Sequence, residues 1–323
     1  MALNTELLIT LQQLKGFGNK TILELSKVLS ARTIDELCDE WHSLKGKKFA
    51  KVTKQDLCVV NRLACRIIEA SELEGIGIIS YYEEAFPEIL KTCVDEDGKQ
   101  NPPIVLYYRG DINALKKPGV AVIGTREPTP MGIKAGVFFA GELAKKGFNI
   151  VSGLAIGCDT TGHEGALSVG GITTAFLANS LSWNDIYPQE NVDLAHKIVE
   201  SGGLLLSEYP LGYKGGRYAF IARDRLQAGL SYATVVVQTG ERGGTMHAVN
   251  ATLASNKPLY AIKYNHDTEL QHQKVQGNIK LLKEGKAMPF KTQNLSENID
   301  FLRKYVETHN KPVSFEGEKG LFD

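Results

Sequence analysis

Two segments, GVAVIGTREPTPMG at 119–132 and GFNIVSGLAIGCD at 147–159, decide the fold. Each contains a short apolar run, Val120–Ile123 or Asn149–Ser152, which is typical of a buried strand in a parallel sheet. A loop with glycines follows each run, and a helix-patterned segment separates the two. Loops at the carboxyl ends of strands are where a doubly wound sheet binds phosphate. The two segments therefore predict an α/β fold with a phosphate-binding crevice.

Apolar runs and amphipathic segments continue to alternate through residues 111–264. The predicted strands are Val120–Ile123, Asn149–Ser152, Thr173–Leu177, Leu204–Ser207, Thr234–Val237 and Pro258–Ile262. The predicted helices are Gly132–Lys146, Cys158–Val169, Val192–Ser201, a segment around Arg225–Ala228, Thr245–Ser255 and Leu295–Val306. This alternation predicts an extended Rossmann-like, mostly parallel sheet with helices on both faces.

The sequence divides into four predicted parts. Residues 1–70 are predicted to form a small all-helical domain, which precedes the sheet. Residues 71–110 form a connector, whose apolar run Ile104–Tyr108 is expected to add an edge strand to the main sheet. Residues 111–305 form the Rossmann-like domain, and 306–323 form a polar tail that we expect to fray.

A glycine turn separates two amphipathic helices near the amino terminus. Its sequence, Leu14-Lys15-Gly16-Phe17-Gly18, resembles a helix-hairpin-helix turn, which can present backbone N–H groups to a DNA phosphate. The same glycines also suit a plain hairpin between helices, where glycine supplies the required dihedral angles. The sequence leaves both interpretations open.

The composition excludes several classes of protein. With 37 basic and 37 acidic residues among 323, the formal net charge is zero, so nucleic-acid binding needs a local basic patch. The five cysteines form no CxxC pair, which argues against a zinc site and predicts a reducing, cytoplasmic compartment. The amino terminus lacks a signal-peptide pattern, and no apolar run reaches the ~20 residues that span a membrane. We therefore expect neither a metal nor a membrane partner.

The first loop combines small residues with one arginine. Gly124 and Gly132 leave the backbone accessible to a ligand, Thr125 and Thr129 offer hydroxyls, and Arg126 offers a planar guanidinium group that suits a phosphate. A structural turn with a surface arginine is the alternative. The loop matches neither GxGxxG nor the P-loop pattern GxxxxGKS/T, so neither a nicotinamide cofactor nor ATP hydrolysis is indicated, and we expect no cofactor.

The second loop is expected to complete the crevice with Ser152, Gly153, Leu154 and Gly157. Asp159 can cap the helix that follows, and His163 lies four residues further along the same helix face. An Asp/His pair can act as a general base, but no nucleophile with an orienting partner accompanies it. We therefore assign both residues to capping and packing and predict no catalytic residue.

Basic and aromatic residues interleave between Gly212 and Gly229. The predicted DNA-binding cations of this segment are Lys214, Arg217, Arg223 and Arg225. Charges that follow a backbone, together with rings that stack on bases, suit single-stranded nucleic acid. The alternative is a solvated loop whose arginines pair with Glu208 and Asp224.

Two further features fall at the same edge of the predicted sheet. Trp183 follows the third strand, where it either stacks on a base or fills the gap beneath its loop, whereas Tyr187 is assigned to the core. Gly243, Gly244 and Thr245 open a helix directly after a strand and make another phosphate-competent helix terminus. The convergence of all these loops on the carboxyl edge predicts a binding site there.

At these loops the chain resembles the DNA-processing protein family DprA, also called Smf. The matching segments are Val122–Arg126 with Thr129 and Gly132, Ser152–Asp159 with Gly162 and His163, Tyr187-Pro188 with Asn191, Ser207–Pro210 with Gly212, Arg223–Arg225 with Ala228–Ser231, and Gly277-Asn278 with Leu281–Gly285. The matches keep their order over residues 70–305, and the helical segment stands where the family has its amino-terminal domain.

The resemblance implies a single-stranded DNA-binding protein rather than an enzyme. Such a protein protects single-stranded DNA and assists the loading of a RecA-type recombinase in DNA uptake and recombination. The resemblance also implies a homodimer, and it gives Arg126, Arg223 and Arg225 as the principal charges that bind DNA phosphates.

Four departures from the family pattern bear on the ligand. Ile156 stands where the family has an arginine, and Asp224 stands where it has an asparagine, which places a negative charge between two arginines. The segment Gly243–Ala248 replaces Gly-Ser-Leu-x-Thr-Ala. We expect no winged-helix domain, which many members carry, after about residue 310.

A nucleotide-binding relative of the wider Rossmann-like group is the alternative function. It would be a sensor of a nucleotide signal or a nucleotide N-glycosidase, because Gly243-Gly244-Thr245 resembles the Gly-Gly-x-Gly-Thr loop of the phosphoribohydrolases. The catalytic arginine and glutamate pattern of those enzymes is not evident in this sequence.

Overall fold

The computed structural model describes residues 3–44, 46 and 48–310. Nine strands form one sheet in this part of the chain, numbered β1 to β9: Gly77–Ser80, Val105–Gly110, Gly119–Ile123, Asn149–Ser152, Thr173–Leu177, Leu204–Ser207, Ser231–Val236, Leu259–Ile262 and Met288–Phe290. The α/β class and the mostly parallel sheet predicted from the sequence are confirmed.

The strands lie in the order β1-β2-β6-β5-β4-β3-β7-β8-β9. Neighbours from β6 to β9 along this order pair in parallel, whereas β2 pairs antiparallel with both β1 and β6. The prediction that Ile104–Tyr108 forms an edge strand is therefore wrong, because β1 covers β2 and occupies the edge. Strands β1 and β9 were not predicted, because both lie outside residues 111–264, where alternating strands and helices carried the prediction.

Helices α1 to α4 precede the sheet: Thr5–Gln12, Asn19–Val28, Ile34–Trp41 and Lys54–Leu73. Helices α5 to α13 are Glu88–Lys91, Pro130–Lys145, Cys158–Leu167, Val192–Glu200, Arg217–Leu230, Thr245–Ala254, Asp267–Leu270, Gln276–Lys283 and Leu295–His309. Among the described residues, no helix combines the length and the apolar character needed to cross a membrane.

Two helices differ from the sequence prediction. Helix α9 begins at Arg217, earlier than the predicted segment around Arg225–Ala228. Its buried face combines Leu226 and Leu230 with polar residues, which interrupt the apolar pattern that would mark the helix in the sequence. Helix α13 continues to His309, into the predicted polar tail. The remainder of that tail, 311–323, lies outside the described residues.

Alternate residues of β3 face opposite layers of helices. Val120 and Val122 join an apolar cluster with Phe139 of α6, whereas Ile123 joins a different cluster with Val249 of α10. Side chains of a strand alternate between faces, so both faces of the central sheet are covered. This confirms the predicted placement of helices.

The helical region and the sheet share one apolar cluster. Leu7, Leu8 and Ile9 of α1 are fully buried in it, together with Val105 of β2 and Leu205 of β6. Burying a side chain of this size contributes about 1.5–3 kcal/mol. Helices α1–α4 are thus held against the end of the sheet that contains β2, and the predicted boundary at residue 70 falls inside α4.

Glycines allow α6 and α7 to pack closely beneath the loops that follow β3 and β4. A Cβ atom on Gly165 of α7 would lie 2.4 Å from the carbonyl oxygen of Val137 and 2.8 Å from the Cβ of Ala140, both on α6. A Cβ atom on Gly136 would lie 2.1 Å from Oγ1 of Thr161. Interiors at native packing density leave no space for these atoms, so the helix pair depends on its glycines.

We predict that Gly165→Ala lowers the free energy of unfolding by about 1–3 kcal/mol, because the added methyl group forces α6 and α7 apart. Urea unfolding curves measure the loss. The control is Glu164→Ala on the same helix, where the side chain is exposed and the change is expected to stay within about 0.5 kcal/mol. Equal stability of the two variants would contradict the close packing.

Candidate nucleic-acid interface

A cleft opens at the carboxyl edge of the sheet, beside β3. Strands β4, β5 and β6 continue the sheet on one side of β3, and β7, β8 and β9 continue it on the other. The loops that follow β3 and β7 therefore diverge and leave a crevice, as expected at a topological switch point. Its volume is about 1620 Å³, and the first turns of α9 and α10 complete its walls.

About half of the predicted site residues line this cleft. They are Gly124, Thr125, Arg126, Lys214, Arg217, Arg223, Gly243, Gly244 and Thr245. The structure thus brings together residues from three loops and α9 that are more than a hundred positions apart in sequence. This convergence was the main expectation from the loop positions.

Four cations surround the mouth of the cleft. Arg126, Lys214, Arg217 and Arg242 are exposed and line it. Within the described ranges, none of the four belongs to an ion pair. The guanidinium of Arg126 lies 5.5 Å from the centre of the Phe220 ring, a cation–π distance that holds it beside the cleft. These charges are available to an anionic ligand.

The acidic residues at the rim are neutralised by lysines. Nζ of Lys274 lies 2.9 Å from Oε2 of Glu127, and Nζ of Lys280 lies 3.3 Å from Oε2 of Glu241. Exposed pairs of this kind add little to stability. They do offset the two negative charges, so the rim of the cleft is positive overall.

The floor of the cleft has a different charge balance. Nη1 of Arg223 lies 3.6 Å from Oδ2 of Asp159, and its Nε lies 3.6 Å from Oδ1 of Asp224. One guanidinium, with 5% of its side chain exposed, therefore faces two carboxylates. Burial raises the pKa of Asp224 to about 6 and also raises the pKa of Asp159, against the opposing charge of Arg223. The floor offers no spare positive charge to a phosphate.

Several of the predicted glycines serve packing rather than a ligand. A Cβ atom on Gly153 would lie 1.2 Å from Nη1 of Arg223, so the guanidinium occupies the space that this glycine leaves open. A Cβ atom on Gly124 would lie 2.6 Å from Sγ of Cys158. Gly157, at φ +85°, would meet the backbone of Arg126 at 2.6 Å. The first and second loops therefore pack on each other.

The loop between β7 and α10 remains open to a ligand. Gly243 adopts φ +141°, and no heavy atom lies within 4 Å of a Cβ built on Gly243 or Gly244. Both glycines are exposed at the start of α10. This is the loop where a ligand can approach the backbone most closely, and its amides precede a helix of ten residues.

Arg225 requires a correction, because it is not available to DNA. Its Nη1 and Nη2 donate to the two carboxylate oxygens of Glu208 at 2.8 and 2.7 Å, and its Nε donates to the carbonyl oxygen of Asn101 at 2.9 Å. Only 5% of the side chain is exposed. Such a bidentate buried pair is a structural link between α9 and the loop after β6, as the alternative interpretation of this segment allowed.

Trp183 also requires a correction. Its ring stacks on His196 of α8 at 3.7 Å between centroids, and Arg109 lies 4.8 Å from it on β2. It therefore fills the gap beneath its loop and does not line the cleft. Tyr187, which was assigned to the core, is 52% exposed and lines the cleft beside Phe220.

The remaining predicted site residues lie inside the fold. Oγ1 of Thr129 accepts a hydrogen bond from the amide of Gly132 at the start of α6 and donates one to Glu269. A Cβ atom on Gly132 would lie 2.3 Å from Oε1 of Gln238. Oγ of Ser152 donates to the carbonyl oxygen of Val122 at 2.6 Å. Leu154 is fully buried. These residues shape the loops and do not face the cleft.

His163 cannot act as a base at the cleft. Burial lowers its pKa to about 3, so the ring is neutral, and Nδ1 lies 2.7 Å from Oγ1 of Thr173. Asp159 accepts from the amides of Gly153 and Ala155 in the second loop. Among residues 3–310, apart from 45 and 47, no cluster of His, Cys, Asp and Glu could hold a metal ion.

Some residues of the cleft were missed by sequence reasoning. They are Tyr187, Gln227, Arg242, His247, Gln273, Lys274 and Gln276. Arg242 could have been found, because it stands in the same loop as Gly243. Lys274 and its neighbours follow β8, whose carboxyl end reaches the same edge, but their polar sequence carries no motif.

The fold and the cleft define a Rossmann-like protein with a cationic cleft at the switch point of its sheet. The chain belongs to the family of the DNA recombination-mediator protein A, whose model matches residues 77–300. The resemblance to the DprA/Smf family is thereby confirmed. Helices α1–α4 lie outside the matched residues.

Relatives are found in several bacteria. The chain is 32% identical to protein Smf of Escherichia coli over 221 residues, which cover 68% of this chain and 55% of that protein. It is 38% identical to protein Smf of Synechocystis over 176 residues, which cover 53% and 44%. The matches therefore span about half the length of these relatives. The DNA processing protein DprA of Bacillus subtilis is 30% identical over 235 residues, which cover 72% of this chain and 75% of that protein.

Two solved structures are similar to this one. DNA processing protein A from Streptococcus pneumoniae matches with a TM-score of 0.72 over 96% of this chain and 99% of that chain, at 23% identity, and it supports the fold. DNA processing protein A from Helicobacter pylori, described for its unique single-stranded DNA binding mode, matches with a TM-score of 0.59 at 31% identity. The match covers 71% of this chain and 96% of that chain.

We predict that Asp224→Asn raises the free energy of unfolding by about 2 kcal/mol at pH 7.5 and that this gain disappears between pH 6 and pH 4. The pKa of Asp224 is higher in the fold than its ordinary value of 3.8, so the ionised carboxylate opposes folding above pH 6 and is protonated below it. Urea unfolding from pH 4 to 7.5 measures the difference between the two chains.

In that comparison the titration of His163 cancels, because both chains contain it. The exposed Asp300→Asn is the control, and its effect on the free energy of unfolding is expected to stay within about 0.5 kcal/mol. A gain for Asp224→Asn that stays constant across the pH range would contradict the buried, charge-crowded floor.

Proposed function

We propose that this protein binds single-stranded DNA in the cleft, with phosphates at the rim rather than at the floor. The observation that carries the proposal is the set of four exposed cations, Arg126, Lys214, Arg217 and Arg242, around an open cleft in a chain with no net charge. Phosphate contacts of this kind supply most of the affinity for nucleic acid without reading sequence.

Aromatic rings support single-stranded DNA over duplex. Tyr187 and Phe220 line the cleft between the cations, and their rings lie 6.0 Å apart at an interplanar angle of 65°. Rings can stack on the unpaired bases of a single strand, whereas paired bases in a duplex are already stacked. The Helicobacter pylori protein, which is 31% identical, is described as a single-stranded DNA binder.

We further propose that the protein protects single-stranded DNA and assists the loading of a RecA-type recombinase in DNA uptake and recombination. The family description, a recombination mediator, supports this role. A cytoplasmic location fits it, since the five cysteines are all free thiols. The proposal predicts faster recombinase assembly on DNA covered by a competing single-strand-binding protein, and this gain should require the rim arginines.

We also propose a homodimer, as the family resemblance implies. Ile133 and Phe138 of α6 and Phe301 of α13 are 45–47% exposed, and a second copy could cover such apolar side chains. Sedimentation equilibrium would give twice the mass of one chain. A single-chain mass at micromolar concentration would overturn this part of the proposal.

We predict that Arg126→Ala with Arg217→Ala weakens the binding of labelled oligo-dT at least ten-fold. The slope of log affinity against log salt concentration should fall by about 1 to 1.5, because two phosphate contacts are lost. Fluorescence anisotropy across a salt series measures both quantities. Both side chains are exposed, so the variant is expected to fold normally.

The matched control is Lys117→Ala with Arg303→Ala. Both residues are exposed and lie at the amino edge of the sheet, since Lys117 precedes β3 and Arg303 contacts the carbonyl oxygen of Lys146 before β4. The control should bind like wild type. Absence of wild-type binding at low salt would contradict the proposal. Tight binding of a mononucleotide, or release of a free base, would instead support the nucleotide-binding alternative.

A further inference from the structure

We propose that bound single-stranded DNA continues out of the cleft onto a lysine face of the helical region, formed by Lys15, Lys20, Lys48 and Lys51. This inference rests on the proposed function and extends the DNA path beyond the residues that match the family model. It assigns a ligand to the α1–α2 turn, for which the sequence left two interpretations open. The partner is the sugar–phosphate backbone of the strand that the cleft already holds.

The lysine face is exposed and carries unneutralised charge. All four side chains are exposed, and none belongs to an ion pair within the part of the chain that the structure describes. Asp56, a nearby carboxylate, is engaged in the capping box of α4, where it accepts from the amide and hydroxyl of Thr53. Lysine charges without partners attract a polyanion.

Lys48 contacts the segment of the chain that carries Lys15 and Lys20. Nζ of Lys48 lies 4.4 Å from the centre of the Phe17 ring and 3.3 Å from Oγ1 of Thr21. Phe17 is two residues after Lys15, and Thr21 follows Lys20, so Lys48 contacts the same turn that carries these two lysines. Lys51 follows one short helical turn later, at the end of Phe49–Lys51. The face therefore combines two chain segments that the fold brings side by side.

The α1–α2 turn is held against the loop that leads into the cleft. Nδ2 of Asn19 donates to the carbonyl oxygen of Pro102 at 2.9 Å and to Oε1 of Glu208 at 3.4 Å. Glu208 is the carboxylate that pairs with Arg225, so a buried ion pair fixes this junction. Six residues after Glu208 the same loop carries Lys214 to the rim of the cleft.

An exposed aromatic ring lies next to the rim cation Lys214 in sequence. Tyr213 stacks on Tyr209 with ring centroids 4.2 Å apart and planes 10° apart, and 38% of Tyr213 is exposed. Lys214 follows directly in sequence. A strand that leaves the cleft at Lys214 thus meets an exposed ring on which a base can stack, and then the lysine face.

The chemistry of the lysine face suits contacts with the sugar–phosphate backbone of DNA. Lysine carries a compact charge on a flexible stem and binds phosphate without fixed geometry, whereas the rim of the cleft uses arginine forks. The cleft would anchor the strand, and the lysine face would add affinity that does not depend on sequence. The contribution should therefore appear only with DNA long enough to reach the helical region.

The test uses the full chain and two lengths of oligo-dT, about 6 and about 20 nucleotides, since single-strand sites commonly span about 4–16 nucleotides. The variant is Lys15→Gln with Lys20→Gln and Lys51→Gln, which leaves Lys48 on Phe17. The control is Lys117→Gln with Lys146→Gln and Lys304→Gln, three exposed lysines away from the cleft. Anisotropy is measured across a salt series.

We expect the variant to bind the short oligonucleotide like wild type and the long one about ten-fold more weakly at low salt. The salt slope for the long oligonucleotide should fall by about 2, because three phosphate contacts are lost. The control should match wild type at both lengths. Wild-type affinity of the variant for the long oligonucleotide would overturn this inference while leaving the cleft intact. Absence of wild-type binding at either length would overturn the proposed function as well.

Discussion

The site depends on one buried guanidinium. Arg223 extends from α9 into the space that Gly153 leaves free and faces both Asp159 and Asp224. Asp159 in turn accepts two amides of the second loop, so α9, that loop and the start of α7 are held as one unit. Removing the arginine alone would leave two buried carboxylates unpaired, a strongly destabilising change.

This arrangement separates structural charge from charge that is free to bind. The buried arginines, Arg223 and Arg225, are used by carboxylates of the fold, whereas Arg126, Arg217 and Arg242 remain exposed at the rim. A protein without net charge can in this way present a local positive surface at one edge of its sheet. The two carboxylates of the floor also disfavour an anion at that depth, which fits the proposal that a strand lies across the cleft.

The fold could be predicted because its signals are local. The apolar run Val120–Ile123 alternates between two helical layers, and each predicted parallel strand has a counterpart in the sheet. The edges were less predictable, because β1 and β9 lie outside the region of alternating strands and helices. Ile104–Tyr108 was placed at the edge because the sequence does not reveal that β1 covers it.

The site could be located from the sequence but not resolved residue by residue. Loop positions placed Arg126 and Gly243 at the cleft, because parallel strands end at a common edge. Whether an arginine is free depends on the partner that the fold brings to it, as Asp159 is brought to Arg223, and the sequence left the pairing of Arg225 with Glu208 open. Trp183 is covered by His196, whereas Tyr187, which was expected in the core, is exposed at the cleft. Packing around one short loop decides which of the two rings is covered.

The central claim is that DNA phosphates bind the rim cations and not the buried arginines. The most direct measurement is a structure of the protein in complex with oligo-dT. The account predicts phosphate oxygens within about 3 Å of the guanidinium groups of Arg126 and Arg217, with Arg223 still between its two carboxylates. Phosphates seated on Arg223 after displacement of Asp159, or DNA bound away from this edge of the sheet, would contradict it.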